Sequence, residues 1–509
     1  MTRISAATGD DERSIVDATR RPPRDPNDPV ADVSDNSESE VAPANVDISE
    51  PIDLGRQPPS PRRVLGWMLP SLAAAVLATV YGALSLRRHA ELGTGGFDLG
   101  IFVQEVRSYA TWRLPFSALK FPGQGNLLAD HFSPITAVLA PFFRLFPYAQ
   151  TLLVAQALLC AVAVVPITRF AWRRLGPTTA AAVAVGYGLS WGIANAVGFD
   201  FHEVAFAVPL LAFSAVALAE ARYRAAVWWA LPLVLVKEDL GLTVAVVGVL
   251  VAVTGRAFLG IATAVGGFAA SAAESFVIMP AFSPTGAVAH AGYFAGSGWH
   301  AIGDLLTPDT KLVTLVMLLA PTAFVACRSR LLWLAAPTLA WRFLSGNAAF
   351  WGSQYHYSAV LMPIVFVAFV DGLSKIRSRP SVRWLLAASL VITAYLVPRN
   401  AFDELLHRPI WQTSATQQAV HDLLGTVPSG ATVCASNNLA AQLAARTDVT
   451  LFGYTPLSVS KAHYLVVDTA DPGGFPLSRS AERDLLAEAE TQGYHLVSRA
   501  GSVELLLRG

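Results

Sequence analysis

Long apolar segments separated by short polar ones occupy the chain from about residue 64 to residue 397. The first, 64–86, is long enough at about 1.5 Å per helical residue to cross a hydrocarbon core of about 30 Å. The others lie at about 133–147, 151–168, 178–197, 204–220, 224–236, 240–254, 257–280, 311–327, 331–344, 357–374 and 383–397. This pattern predicts a mainly α-helical polytopic membrane protein, with a multi-span domain over 61–399.

Both ends of the chain differ from this middle. Residues 1–60 carry thirteen acidic residues against six arginines and few aromatics, which predicts a disordered acidic tail. Residues 400–509 alternate short β-like runs with polar helical segments and end in a hairpin pattern at 494–507. They predict a small C-terminal α/β domain.

Arginines in the short loops predict the orientation of the spans. Arg62 and Arg63 precede the first span, so the N-terminus is expected in the cytoplasm. The later arginine clusters fall on the same side if 134–147 is an interfacial or re-entrant helix. The prediction is then about eleven spans in the plasma membrane, with a first outer loop at 87–132 and the C-terminal domain outside.

Part of the first outer loop has helical spacing of apolar residues. Phe102, Val106 and Tyr109 recur at intervals that would put them on one side of a helix. We expect a juxtamembrane amphipathic helix whose apolar face lies against lipid.

Composition agrees with a membrane protein and narrows the classes of partner. Hydrophobic residues make up 53% of the chain and charged residues 15%, with mean hydropathy +0.45, whereas soluble proteins have roughly a quarter charged residues. The net charge is zero and the arginines serve topology, so nucleic-acid binding is not expected. The three cysteines lack metal-type spacing and predict no disulfide framework.

The first outer loop supplies three candidate catalytic residues. Asp98 follows the glycine-rich turn 93–96 and is interpreted either as a general base or as a helix N-cap. Asp130 and His131 precede the return into the apolar region and could join Asp98 in one pocket. The alternative for this pair is a polar stop before a helix.

Two later polar islands supply candidate substrate-binding residues, with membrane anchoring as the alternative. His202 and Glu203 lie between two apolar segments, and metal ligation is weakly indicated because no second histidine follows four residues on. Lys237 is expected to bind a lipid-linked phosphate. Glu238 and Asp239 would position an acceptor hydroxyl or a divalent cation.

Two further residues are candidates for binding the same phosphate. His356 lies between two tyrosines at the start of an apolar segment, and an aromatic belt at the membrane surface is its alternative. Arg342 lies inside an apolar segment and is expected to face the protein interior or a polar cavity. If a metal is involved, its identity is left open.

Together these residues carry a resemblance to a known family. The motifs are FDLGIFVQ (97–104), ADHFSPI (129–135), GFDFHE (198–203), LVKEDLG (235–241), QYHY (354–357), ASNNLAAQLAAR (435–446) and YLVVD (464–468). In this order they resemble the bacterial predicted membrane proteins of domain of unknown function 2079. That family is similar to the C-type, polyprenyl-phosphate-dependent glycosyltransferases.

The resemblance implies a multi-span core, a large first outer loop and a catalytic acid in that loop, which corresponds to Asp98. It implies transfer of a sugar from a polyprenyl-phosphate donor on the outer face of the membrane. Glu105 lies two helical turns further on and is not expected to be an adjacent partner of Asp98. The alternative function is a transporter, a flippase or a non-catalytic lipid-binding scaffold.

Overall fold

Helices dominate the computed structural model, which describes residues 61–121, 125–287, 307–470 and 474–509. The predicted acidic tail, 1–60, lies outside the described residues. The α-helices are α1 Pro61–Ala90, α2 Ile101–Ala110, α3 Ala140–Leu145, α4 Gln150–Val162, α5 Val164–Leu175, α6 Pro177–Gly188, α7 Trp191–Val197, α8 Ala207–Ala219, α9 Tyr223–Ala230, α10 Leu240–Ala252, α11 Ala257–Ala273, α12 Met279–Phe282, α13 Asp309–Leu319, α14 Ala336–Leu344, α15 Leu361–Ser374, α16 Arg379–Leu396, α17 Ala415–Gly425, α18 Asn437–Leu443, α19 Leu457–Ser460 and α20 Arg479–Thr491.

Several of these helices are suited to a membrane. Across the described ranges, five are long and apolar enough to cross one: Leu65–Ala90, Gln150–Leu175, Ala257–Phe282, His356–Ser374 and Arg379–Arg399. The consecutive helices α6 and α7 are bent by 44° and could form a sixth span. The chain is therefore a mainly helical, multi-pass protein, while the predicted number of eleven spans is not confirmed.

The segment predicted to be interfacial is a short composite helix. A 3₁₀-helix at Pro134–Leu139 leads directly into α3. Twelve residues rise about 18 Å even in α-helical geometry, well short of a hydrocarbon core of about 30 Å. This segment is consequently too short to span a bilayer.

Helix α2 confirms the predicted helical spacing but not the predicted contact with lipid. Val103 and Val106 are fully buried, and Phe102 packs edge-on against the ring of Phe201. On another side of the helix, Gln104 Nε2 donates to the carbonyl of Val449 in the C-terminal region at 2.8 Å. The expectation of a lipid-facing helix is wrong because other parts of the chain cover its apolar side.

The C-terminal region folds around one five-stranded sheet. Its strands are β1 Thr432–Ala435, β2 Asp448–Leu451, β3 Tyr464–Asp468, β4 Tyr494–Ala500 and β5 Val503–Arg508, in the spatial order β2-β1-β3-β5-β4. β1 is parallel to β2 and β3, whereas β5 is antiparallel to β3 and β4. The predicted small α/β fold and terminal hairpin are therefore present.

Helices α10 and α11 pack closely against each other. A Cβ built on Gly248 would lie 2.3 Å from Ala264 N and 2.6 Å from the carbonyl oxygen of Gly260. Both atoms belong to the backbone of α11 and cannot rotate away. Small residues thus set the distance between the two helices, as is common between helices in membranes.

We expect Gly248→Ala to destabilise the protein by about 1–3 kcal/mol, because the added methyl group forces two backbones apart. The thermal unfolding midpoint in detergent measures this effect. Gly266→Ala on α11 is the matched control, since a Cβ at that position meets nothing within 4 Å. Equal midpoints for the two variants would contradict the packing argument.

Candidate functional site

Asp98 lies in a short π-helix, Gly96–Gly100, that continues into α2. The first N–H groups of a helix have no acceptor within it, and Gly95 at the N-cap has no side chain to offer one. Asp200 Oδ2 accepts from Gly95 N at 2.8 Å and Asn437 Oδ1 accepts from Phe97 N at 2.9 Å. Asp98 is therefore not the N-cap. The side chains of Asp200 and Asn437 accept hydrogen bonds from the first N–H groups instead.

The carboxylate of Asp98 reaches a buried histidine. Its Oδ1 lies 3.4 Å from Nε2 of His202, and the Asp98 side chain is 34% exposed. The other ring nitrogen of His202, Nδ1, is 3.0 Å from the carbonyl oxygen of Asp200. Burial lowers the pKa of His202, but Asp98 and Glu203 raise it more, so the net pKa lies above the ordinary value. The pair thus favours an imidazolium beside a carboxylate.

Gln156 fixes the loop that holds this histidine. Its Oε1 accepts from His202 N at 3.0 Å, and its Nε2 donates to the carbonyl oxygens of Ala196 and Asp200 at 3.0 and 3.1 Å. A single buried amide on α4 therefore binds both sides of the loop.

His356 stacks on His202. Their ring centroids are 3.5 Å apart and their planes differ by 21°. Phe199 stacks against the same two rings, with centroids at 5.4 Å from His202 and 5.9 Å from His356. The loop that carries His202 and the loop that carries His356 are thus in direct contact.

Arg342 holds the loop that carries His356. The guanidinium is fully buried and donates to the carbonyl oxygens of Phe350 and Gly352, each at 2.8 Å, and to Ser358 Oγ at 3.1 Å. This geometry agrees with the predicted location of Arg342 in the protein interior. These contacts use Nε and one N–H of each Nη atom, so Arg342 holds the loop, and its binding of phosphate stays a prediction.

The next pair of ionisable residues joins the 237–239 island to the island of His202 and Glu203. Lys237 Nζ lies 3.0 Å from Oε1 of Glu203, whose side chain is 1% exposed. Burial lowers the pKa of Lys237, but Glu203, Glu238 and Asp239 raise it above the ordinary value. The ammonium is consequently held in its charged form among three carboxyl groups.

His131 of the first loop binds Glu238. The distance from Nδ1 to Oε1 is 2.9 Å, and Glu238 Oε2 accepts from Phe132 N at 3.2 Å. Burial and the Lys237 ammonium lower the pKa of His131, yet Glu238 and Asp130 raise it further, giving a net increase. Burial raises the pKa of Glu238, but His131 and Lys237 lower it to about 2.

Asp130 and Asp239 complete the set of predicted residues. Asp130 Oδ2 lies 3.0 Å from Lys120 Nζ in the same loop. Burial raises the pKa of Asp239 to about 6 even though Lys237 lowers it. The structure therefore brings His131 of the first outer loop, residues 202–203, residues 237–239 and His356 into one network, while Asp130 pairs with Lys120.

Sequence analysis did not include Asp200, Glu105 or Asn437 among the candidate site residues, although Asp200 and Glu105 lie in the polar segments from which those residues were chosen. Glu105 is buried, and its Oε1 accepts from Thr136 Oγ1 at 2.8 Å and from Ser133 Oγ at 3.3 Å. Burial raises the pKa of Glu105 to about 8, so the carboxyl group is largely neutral at pH 7. Glu105 joins α2 to the composite helix that ends in α3.

The described residues offer no cluster for a metal ion. In the four described ranges, no group of three or more His, Cys, Asp or Glu residues is arranged to hold one. The predicted divalent-cation site therefore lacks a three-ligand set there. The three cysteines are all free.

An apolar groove of about 930 Å³ lies beside these elements. It is lined by α1, α3 and α4, and its lining includes Leu86, Leu139, Phe142, Leu158 and Phe206. Phe142 and Leu158 are about half exposed, so the groove is open at the side of the protein formed by α3 and α4. Leu139 lies three residues after Thr136, and Phe206 lies three residues after Glu203. Thr136 and Glu203 belong to the buried network, so the groove is next to it along the chain.

Comparison with known proteins identifies the family. The sequence model described as "Predicted membrane protein (DUF2079)" matches residues 88–505, which is most of the chain. The chain belongs to the DUF2079 family. The DUF2079 match includes every candidate site residue, and it confirms the family predicted from the sequence motifs.

Comparisons with curated proteins and with solved structures give less information than the DUF2079 match. No curated protein matches the chain. Among solved structures, ArnT from Cupriavidus metallidurans, bound to undecaprenyl phosphate, aligns over 87% of this chain and 98% of that chain. The sequence identity is 13% and the TM-score is 0.43.

Asp200 predicts a pH dependence of stability in this DUF2079 protein. Burial and Asp98 raise its pKa from 3.8 to about 7, so the folded state binds a proton that the unfolded state has lost between these values. Stability should therefore fall as pH rises from about 4 to 7. In Asp200→Asn, which keeps an oxygen for Gly95 N, this contribution should disappear.

Denaturant unfolding at several pH values between 4 and 8 measures this difference. Asp422→Asn on the exposed side of α17 is the control. An unchanged pH profile in Asp200→Asn would contradict the assignment.

The buried pair of Lys237 and Glu203 predicts that loss of one charge destabilises the protein more than loss of both. Lys237→Met leaves a buried carboxylate without its cation, and we expect a loss of about 3–5 kcal/mol. Lys237→Met/Glu203→Leu removes both charges and should recover most of this loss. Chemical unfolding in detergent compares the three proteins, and a double variant as unstable as the single one would refute the pairing.

Proposed function

We propose that this protein is a membrane glycosyltransferase that moves a sugar from a polyprenyl-phosphate donor to an acceptor on the outer face of the membrane. The observation that carries the proposal is the Asp98 carboxylate, 34% exposed, beside His202 and within one network of largely buried ionisable groups. Asp98 accepts the proton of an acceptor hydroxyl. The hydroxyl oxygen attacks the anomeric carbon, the bond from that carbon to the phosphate oxygen breaks, and polyprenyl phosphate leaves.

Cationic groups in the same network as Asp98 support stabilisation of the leaving phosphate, on which negative charge develops. Lys237 and His131 are each paired with a carboxylate in the absence of substrate. His356 is stacked on His202 and is proposed to donate to a phosphate or sugar oxygen. Glu238 and Asp239 position the acceptor or the cationic groups that bind the phosphate.

The apolar groove supports a lipid-linked donor. A volume of about 930 Å³ and half-exposed apolar walls suit several isoprene units of a long chain. A groove that opens sideways also allows such a chain to enter from the bilayer. We propose that it holds the chain segment next to the phosphate.

The proposed reaction also requires a topology. We propose about eleven spans, with the N-terminus in the cytoplasm and residues 400–509 outside the membrane. The arginines of the short loops support this orientation. All parts of the site would then lie at the outer surface, where the C-terminal sheet packs on the Asp98 loop.

We expect Asp98→Asn to lower the rate of sugar transfer by about 10²–10⁴-fold, because the amide cannot accept the acceptor proton. The assay uses purified protein in nanodiscs with a panel of polyprenyl-phosphate pentoses and hexoses, and it measures release of polyprenyl phosphate. Asp403→Asn is the control, since that carboxylate pairs with His407 outside the network.

Transfer at the wild-type rate in a folded Asp98→Asn protein would refute the proposed base. Native mass spectrometry with polyprenyl monophosphate separates the remaining functions. Binding of this lipid without turnover of any donor would favour a flippase or a lipid-binding scaffold.

A further inference from the structure

The C-terminal sheet places its loops on the catalytic loop. Asn437 follows β1, Tyr454 follows β2, and Phe475 lies beyond β3, so all three come from the carboxyl edge of the parallel strands. In open α/β sheets this edge is the usual place for a ligand. Here part of it is covered by Phe97, whose ring packs edge-on against Tyr454 and Phe475 with centroids at 5.4 and 5.1 Å.

Asn437 forms the polar part of this contact. Its Oδ1 accepts from Phe97 N, the N–H group one residue before Asp98, at 2.9 Å. A Cβ built on Gly95 would lie 3.0 Å from Asn437 Nδ2 and 3.3 Å from Asp200 Oδ2. The amide of Asn437 and the carboxylate of Asp200 thus hold the same turn, and Asp200 also belongs to the loop that carries His202.

The apolar part of the contact leaves no space at Gly96. A Cβ on this residue would lie 2.5 Å from Ala440 Cβ, one helical turn beyond Asn437 in α18. The next nearest atom, the carbonyl oxygen of Asn437, is 3.3 Å away. Close packing at Gly96 therefore depends on a single methyl group of the C-terminal region.

We propose that Asn437 is a positioning residue: α18 caps the helix that carries Asp98 and thereby directs its carboxylate toward His202. The C-terminal region is then an integral part of the site. The structural part of this proposal is independent of the reaction, whereas its catalytic consequence rests on the proposed function.

Hydrogen exchange of the full-length protein in nanodiscs tests the structural part. Without the Asn437 oxygen, the Phe97 amide should exchange at least about tenfold faster in Asn437→Ala. Asn437→Asp retains an acceptor and should keep most of the protection. Asn438→Ala is the matched control, because that amide donates to Asp468 Oδ2 and not to the loop.

Unchanged exchange at Phe97 in Asn437→Ala would overturn the proposal. Equal acceleration in Asn438→Ala would also overturn it, because the effect would then reflect general loosening of the C-terminal region.

A size exchange across the contact gives a second test. Gly96→Ala should accelerate exchange over 96–100, since its methyl group collides with that of Ala440. Gly96→Ala/Ala440→Gly removes the collision and should restore slow exchange, whereas Ala440→Gly alone should change it little. Failure of the double variant to recover would refute close packing at this point.

Donor turnover connects the contact to catalysis. Asn437→Ala should lower kcat by about 10-fold or more with little change in KM for the donor, because Asp98 is misdirected while the phosphate-binding groups are intact. Asn437→Asp should recover part of kcat. Normal kcat with accelerated exchange would refute the catalytic role of the cap, while absence of turnover in the wild-type protein would count against the proposed function alone.

Discussion

The N–H groups at the start of the Asp98 helix have no acceptor within that helix, and the rest of the site depends on how they are satisfied. Gly95 allows close approach but offers no capping side chain, so the acceptors come from Asp200 and Asn437. Loss of a capping side chain typically costs about 0.5–2 kcal/mol. Meeting this requirement brings the first loop, the loop of His202 and the C-terminal sheet to one point.

Pairing of charges extends this arrangement beyond the Asp98 turn. Lys237 with Glu203 and His131 with Glu238 hold four ionisable residues in matched pairs. Each pair offers a cation that an incoming phosphate could share or capture. For the proposed transfer reaction, a network that is held together before substrate binds reduces the reorganisation that the reaction requires.

Much of this arrangement was predictable from the sequence, because ionisable residues in an apolar chain must gather where charge is tolerated. The polarity of His131, His202, Lys237 and His356 was enough to predict that they belong to one site. It could not identify Asn437, whose partner is 340 positions away, or the capping role of Asp200. The buried side of α2 was predicted to face lipid because helical spacing reports an apolar side without specifying what covers it.

The distance between Phe97 and Asn437 along the chain also affects how the protein is made. A ribosome adding about 5–20 residues per second takes roughly 20–70 s to pass from one to the other. Throughout that interval the newly synthesised Asp98 helix lacks the acceptor that Asn437 provides. A chain released early would thus carry the acidic residue without its correct orientation, so completion of synthesis itself becomes a condition for assembling the site.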